Sequence, residues 1–372
     1  MTEKKRRYDL DWLRVIAILA VYLHHIGMPF NGDEFHIMNS ESSKTLDDIM
    51  VFFEQFRLPL LFLISGTGTM FAFSKRTWFQ FLKERSNRLL IPLFFGVLFI
   101  VPPQTYFEQI NHFNSYWDVY ANGSFFEVNH LWFIENLFIM SIVLIPLILF
   151  LKSRKSDALI NLLDTISSKK YGILLWVIPL IIITVLLKKI YKGDSKDITN
   201  LSSTFYYGYF LVSGMLFTAS KNIWNHLKFH RKFNFIAFVI SFILFYGYYL
   251  LPGDYISPHL SISSRWSIWY LVCALVSWTL VTTLLGYGQL WFNKKSTLLK
   301  KCNEAIYPFY ILHQTILIIL GYYILELEVS ILSKIVLLIF TSFPLILLIY
   351  RLLIYPFKIP RILFGMKKKD VL

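Results

Sequence analysis

Cysteine is scarce in this 372-residue chain: only Cys273 and Cys302 occur. One lies in an apolar run and the other in a basic loop, an arrangement that gives neither a disulfide framework nor metal-ligand spacing. Charge is scarce too. Only 16% of the residues are charged, against 56% hydrophobic and 18% aromatic, which is too little polar surface to coat a soluble globule of this length. No internal repeat, glycine-rich phosphate loop or low-complexity linker marks off a second domain. A single membrane domain is therefore expected over 1–372, with its helical core at about 11–355 and no soluble catalytic domain. The opening apolar run is too long and too polar at its start for a removable signal peptide, and no small-residue cleavage site follows, so it is read as a retained anchor.

What the chain does have is long apolar segments. A helix rises about 1.5 Å per residue and needs roughly 20 mostly apolar residues to cross about 30 Å of hydrocarbon. Ten segments qualify: 11–29, 49–73, 89–106, 130–151, 171–188, 203–219, 235–251, 266–285, 305–325 and 333–355. The expected fold is all-α, a polytopic membrane protein of about ten transmembrane helices.

Loop charge orients it. The segments 1–10, 74–88, 152–170, 220–234, 286–304 and 356–372 hold 27 of the 37 Lys and Arg residues, whereas 107–129 and 252–264 hold none. Cytoplasmic loops are enriched in Lys and Arg, so both termini are expected in the cytoplasm. Only 188–202 disagrees, with Lys188, Lys189, Lys192 and Lys196. The net charge of +14 thus reads as orientation bias and attraction to anionic membrane lipids, and nucleic-acid binding is not expected.

Ionisable residues inside a span cost roughly 2.5 kcal/mol or more at the bilayer centre and mark functional sites. The first span carries Asp11, Arg14, His24 and His25. At about 100° per residue, Arg14 and His25 fall on one stripe and His24 about 80° away. Asp11, three residues before Arg14, can pair with it. Snorkelling to lipid headgroups is the competing explanation for Arg14. The topology brings Glu54 and Arg57 from the second span, His130, Trp132 and Glu135 from the fourth, and Arg265 from the eighth to the level of His25. Each alone reads as an interfacial residue or a local ion pair, and Glu54 with Arg57 at i, i+3 invites that reading. Together they point to a polar pocket opening outward, suited to a sugar-like ligand that wants hydrogen bonds and an aromatic platform. On the opposite side Lys83, Arg85 and Arg88 crowd the mouth of the third span, where guanidinium forks suit polyphosphates and positive-inside charge is the alternative. His313, in the ninth span, reads either as a satisfied core histidine or as part of a channel.

These residues resemble the acyltransferase-3 family of integral membrane acyltransferases. Asp11, Arg14 and His25 match its first-helix motif, Phe56-Arg57-Leu58-Pro59 through Ser65-Gly66 its second helix, and Arg85 to Pro92 the basic stretch before its third. His130-Leu131-Trp132-Phe133 and Tyr307-Pro308 through His313 resemble its fourth and ninth helices. The likeness runs from near residue 8 to about 320 and is strongest to the glucan biosynthesis protein C-like branch. It implies transfer of an acetyl- or succinyl-class group from cytoplasmic acyl-CoA to a hydroxyl of an extracytoplasmic carbohydrate. His25 would be the catalytic histidine, Arg14 its motif partner, and Arg85 and Arg88 donor-binding residues. The donor is a substrate, so no tightly bound cofactor and no metal are expected. The partners implied are acyl-CoA, a glycan acceptor, membrane lipids and, for any second transfer step, a separate envelope protein. The setting implied is a bacterial cytoplasmic membrane. The Trp132-x-x-Glu135 spacing departs from the longer tryptophan-to-glutamate spacing of the O-antigen-modifying branch.

A proton-coupled transporter or flippase of a polar envelope precursor competes, because intramembrane His, Glu and Arg also build proton relays. Transporters commonly carry internal repeats and paired broken helices, and the sequence shows neither.

Overall fold

The computed structural model describes residues 6–73, 76–124, 126–191, 195–220 and 222–367. Lys4, Lys5, Lys75, Lys192, Lys221, Lys368 and Lys369, weighed above among the loop charges, lie outside the described residues. Among the described residues every regular element is helical. The main helices are α1 (Tyr8–Asn31), α2 (Lys44–Glu54), α3 (Arg57–Phe73), α4 (Trp78–Glu108), α5 (Trp132–Val143), α6 (Ile145–Lys152), α7 (Asp157–Ser168), α8 (Gly172–Ile190), α9 (Leu201–Ala219), α10 (Arg231–Tyr249), α11 (Ile262–Trp291), α12 (Thr297–Ile324) and α13 (Ile331–Ile354).

Eight of these segments are long and apolar enough to cross a membrane, with α2 and α3 counted together as Lys44–Phe73, and a ninth appears if the bent pair Asn129–Val143 and Ile145–Lys152 is one span. Among the described residues two of the ten expected segments fall short of that test of length and composition, each for a physical reason. Pro146 has no N–H to offer the carbonyl four residues back, and the chain bends by 53° where it enters α6. The other segment, 203–219, is a 19-residue helix, α9, but its serines, threonines, tyrosines and glycines lower its hydropathy below that of the other spans.

The chain clusters into two compact units, each assembled from three stretches. The first comprises Met1–Ala17, Gln55–Trp78 and Met140–Lys295. In it α3 and α9 cross in close backbone contact. A Cβ on Gly66 would sit 1.9 Å from the Leu211 carbonyl oxygen, and one on Gly214 would sit 2.0 Å from that of Leu63. Small residues let helices approach so closely that dispersion contacts replace the hydrophobic driving force missing in lipid. Beside this crossing the Trp278 indole is fully buried and donates to the Ile173 carbonyl at 2.8 Å. At the start of α1, Asp9 is fully buried and accepts from Arg7 at 2.6 Å, while the Arg7 guanidinium lies 4.1 Å over the Trp224 ring.

The second unit comprises Ile18–Glu54, Phe79–Ile139 and Ser296–Leu372. Here α12 packs against α4 and α13, and the C-terminal half of α1 is tied in through Tyr22, whose hydroxyl lies 2.9 Å from that of Ser342. Helix α4 is irregular, with two wide turns at Ser86–Leu90 and Gly96–Ile100, each followed by proline. Proline has no N–H, so the carbonyls four residues before Pro92 and Pro102 lose their helical donor. Side chains take their place: the Tyr307 hydroxyl donates to the Arg88 carbonyl at 3.0 Å, and the Tyr120 hydroxyl donates to the Leu98 carbonyl at 2.9 Å. Thr315 donates likewise to the Ile100 carbonyl at 2.7 Å.

Candidate functional site

The expected catalytic residue stands near the C-terminal end of α1, within the second unit. His24 and His25 are consecutive, so the helix turns them to different faces. His24 is buried, with Nε2 3.6 Å from a Glu54 carboxylate oxygen. His25 is half-buried and meets α12, where its ring stacks on that of His313 with centroids 5.1 Å apart and its Nδ1 lies 3.1 Å from His313 Nε2.

The direction of that bond follows from a second contact. His313 Nδ1 lies 2.5 Å from the Tyr310 carbonyl oxygen, which can only accept. Nδ1 of His313 therefore carries the proton, and in a neutral imidazole Nε2 is then the acceptor. His25 must donate from Nδ1, which leaves the lone pair of its own neutral ring on Nε2. A carbonyl and one imidazole thus set the tautomer and orientation of His25, the task a carboxylate performs in hydrolytic triads.

His130 completes a second arm. Its ring stands edge-on to His313 at 5.2 Å. Nε2 donates to the Ile311 carbonyl at 3.0 Å, so Nδ1 is the acceptor for the Gln104 amide at 3.3 Å. The same amide donates to Thr315 at 2.7 Å, and the Gln104 carbonyl oxygen accepts from Gln314 at 3.1 Å and Asn129 at 3.3 Å. Gln314 also reaches His36 Nε2 at 2.9 Å, and His36 Nδ1 donates to Glu108 at 2.5 Å. Every contact in this row has one consistent donor and one acceptor.

The other expected residues are placed as follows. Arg14 lies on α1 within the first unit, its Nη1 3.6 Å from Asp11, whose carboxylate also accepts from Arg6 at 2.8 Å. Glu54 is the last residue of α2 and Arg57 the first of α3, with Gln55 and Phe56 forming the turn between them. Glu54 belongs to the second unit beside His24, and Arg57 is buried in the first. Trp132 and Glu135 are half-buried in the first turn of α5, where a carboxylate complements the positive helix end. Arg265 lies in the first turn of α11, in the first unit. On α4, Lys83 is exposed, the Arg85 guanidinium lies 5.1 Å over the Phe81 ring, and Arg88 Nε is 3.4 Å from Glu84.

Charge was the cue for the expected site, so Gln104, Gln314 and Thr315 went unread. An uncharged amide inside an apolar run carries the same message, since it too must find a partner. His36 and Glu108 sit outside the apolar runs, and nothing in their local sequence couples them.

Comparisons with known proteins agree with this picture at the level of the family. The family described as Acyltransferase domain, acyltransferase-3, matches residues 7–351. Glucans biosynthesis protein C from Escherichia coli O157:H7 (strain EC4115 / EHEC) is 22% identical over 339 residues, 86% of this chain and 84% of that protein. The protein of the same name from Escherichia coli (strain K12) is 26% identical over 146 residues, 37% of each, so the matched region spans just over a third of that relative. No solved structure matches. With a family match running through nearly all of its helices, the chain belongs to the acyltransferase-3 family of multi-pass membrane proteins.

Proposed function

We propose that this protein transfers an acyl group of the acetyl or succinyl class from acyl-CoA to a hydroxyl of an envelope carbohydrate, with His25 as general base. The observation that carries the proposal is the directional pair in which His313 Nε2 accepts from His25 Nδ1, fixing the basic lone pair on His25 Nε2. A sugar hydroxyl is a poor nucleophile at neutral pH, and a positioned imidazole contributes roughly 10² to 10⁴-fold by taking its proton as it attacks. The hydroxyl oxygen forms a bond to the thioester carbonyl carbon, and its proton passes to Nε2. Collapse of the tetrahedral adduct breaks the carbon–sulfur bond, and the thiolate leaves with the proton that Nε2 had taken. The products are an ester and free coenzyme A.

The donor enters from the side where the basic loops lie, proposed as cytoplasmic together with both termini. Arg14 and His25 are eleven residues apart on α1, about 16 Å of helix at 1.5 Å per residue. A pantetheine arm of that order keeps its phosphates inside while presenting the thioester at the level of His25. Lys83, Arg85 and Arg88 of the second unit are proposed to hold those phosphates, and Glu54, His130, Trp132 and Glu135 of the same unit to surround the acceptor. The name shared by the relatives supports a glycan acceptor. The test is chemical: purified protein supplied with acyl-CoA and an envelope glycan fraction should release one coenzyme A for each acyl group gained by glycan. A transporter would leave both compounds unchanged.

A further inference from the structure

A cavity of about 410 Å³ opens in the second unit beside the His36–Glu108 pair. Its wall includes His36, Phe107, Glu108, Asn111, His112 and Tyr322. The stretches that supply the wall run through 36–38, 107–112 and 322–326, in or beside the loops with few or no Lys and Arg, the side proposed as extracytoplasmic.

The lining selects among ligands. Glu108 and Glu326 line it without any Lys or Arg, which disfavours phosphate or carboxylate ligands. A metal ion is disfavoured as well, because His36 Nδ1 and Glu108 already bond each other at 2.5 Å and no group of three metal-ligating side chains occurs among the described residues. Ile37, Met38, Ile110 and Leu325 also line the cavity, but a fatty chain would have to desolvate Glu108, Asn111 and Glu326 beside them without giving them a hydrogen bond. A neutral polyol fits: carboxylates accept from adjacent hydroxyls, Asn111 donates and accepts, and the Phe107 and Tyr322 rings, edge to face at 5.2 Å, offer surfaces to the C–H faces of a sugar.

The wall is also built from behind. Gln314 holds His36 Nε2 at 2.9 Å, Gln104 holds Gln314 at 3.1 Å, and the same Gln104 amide holds Thr315 and His130. Gln104, His130, His313 and Gln314 are all buried, so their amides and rings are oriented by one another and not by solvent. The row of bonds therefore runs from the cavity wall to the histidine that abuts the His25 partner.

Building on the acyl-transfer reading, we propose that this cavity is a binding subsite for a neutral sugar unit of the acceptor, lying beyond the unit that receives the acyl group. The amide row would hold that subsite in register with His25.

The test uses the full chain in lipid nanodiscs and saturation-transfer NMR with neutral hexasaccharides of glucose, galactose, mannose or N-acetylglucosamine. At least one should bind wild-type protein; Glu108→Gln should weaken it about tenfold or more, as expected for loss of a hydrogen bond to a charged group, and Asn111→Ala about threefold to tenfold, as for a neutral amide. Tyr322→Ala should weaken it as well, and His25→Ala should bind like wild type. Absence of binding to wild-type protein overturns the subsite, as does equal binding by all three cavity variants, which would make the cavity a water-filled cleft. Coenzyme A release is measured separately: binding without release in wild type leaves the subsite standing and removes the transferase reading, and release with unaltered acceptor KM in the cavity variants does the reverse.

Discussion

At the scale of single residues, the account turns on one proton position. If His313 Nε2 accepts from His25 Nδ1, then His313→Phe removes the acceptor and should lower kcat about 10²-fold at unchanged acyl-CoA affinity, within the range of a mispositioned base. His313→Gln puts an oxygen near the place of Nε2 and should restore a large part of that loss. Equal loss in both variants would make His313 a packing residue with no orienting role. Sequence alone placed His24 and His25 on different faces, since that follows from helix geometry. It left His313 open between core and channel, because a contact across 288 residues is written nowhere in the local pattern. The Gln104 row was missed for the same reason.

Glu127 supplies a test outside the membrane-spanning segments. Although the residue is exposed, partial desolvation of its carboxyl raises it above the ordinary carboxylate value, the Glu108 charge pushes the same way, and His36 partly opposes both. A carboxyl raised in the folded state takes up protons on folding, so its unfavourable contribution is absent below the unfolded value and grows as pH rises through the raised one. Glu127→Gln should therefore raise the thermal midpoint at pH 7 and leave it nearly unchanged at pH 4. A larger gain at pH 4 would contradict the stated cause.

At the scale of elements, glycines and prolines explain more than hydropathy does. The apolar runs located eight spans because a 20-residue stretch with few charges has no other stable solution in lipid. They gave no hint that α3 and α9 touch backbone to backbone, which depends on Gly66 and Gly214 facing each other. Gly66→Ala would drive a Cβ into the Leu211 carbonyl, so the helices must separate at a cost of about 1–3 kcal/mol. Thermal unfolding in detergent should show that loss, whereas Gly68→Ala, with open space around its Cβ, should stay near the wild-type midpoint. The wide turns of α4 were equally illegible. Pro92 and Pro102 announce that carbonyls lose their donors, but the replacements, Tyr307 and Tyr120, come from 219 and 22 residues away. Tyr307→Phe leaves the Arg88 carbonyl short of that donor and should cost about 1–3 kcal/mol.

At the scale of the whole molecule, orientation rests on the loop charges. Cysteines placed at Asn122 and Asp254 should react with an impermeant maleimide in intact cells, and one at Ala158 should react only after permeabilisation. All three positions are exposed, unlike neighbouring Ser156, whose burial would mask the result. The most direct measurement of the central claim joins donor, acceptor and base in one reaction. Wild-type protein, His24→Ala and His25→Ala, each in nanodiscs at equal amounts, receive acyl-CoA and envelope glycan, and free thiol and glycan mass are followed together. The account predicts equal coenzyme A release and glycan acylation in wild type, much of it retained in His24→Ala, and a loss of about 10² to 10⁴-fold in His25→Ala. Full acylation by His25→Ala, or its loss in His24→Ala alone, would contradict the account.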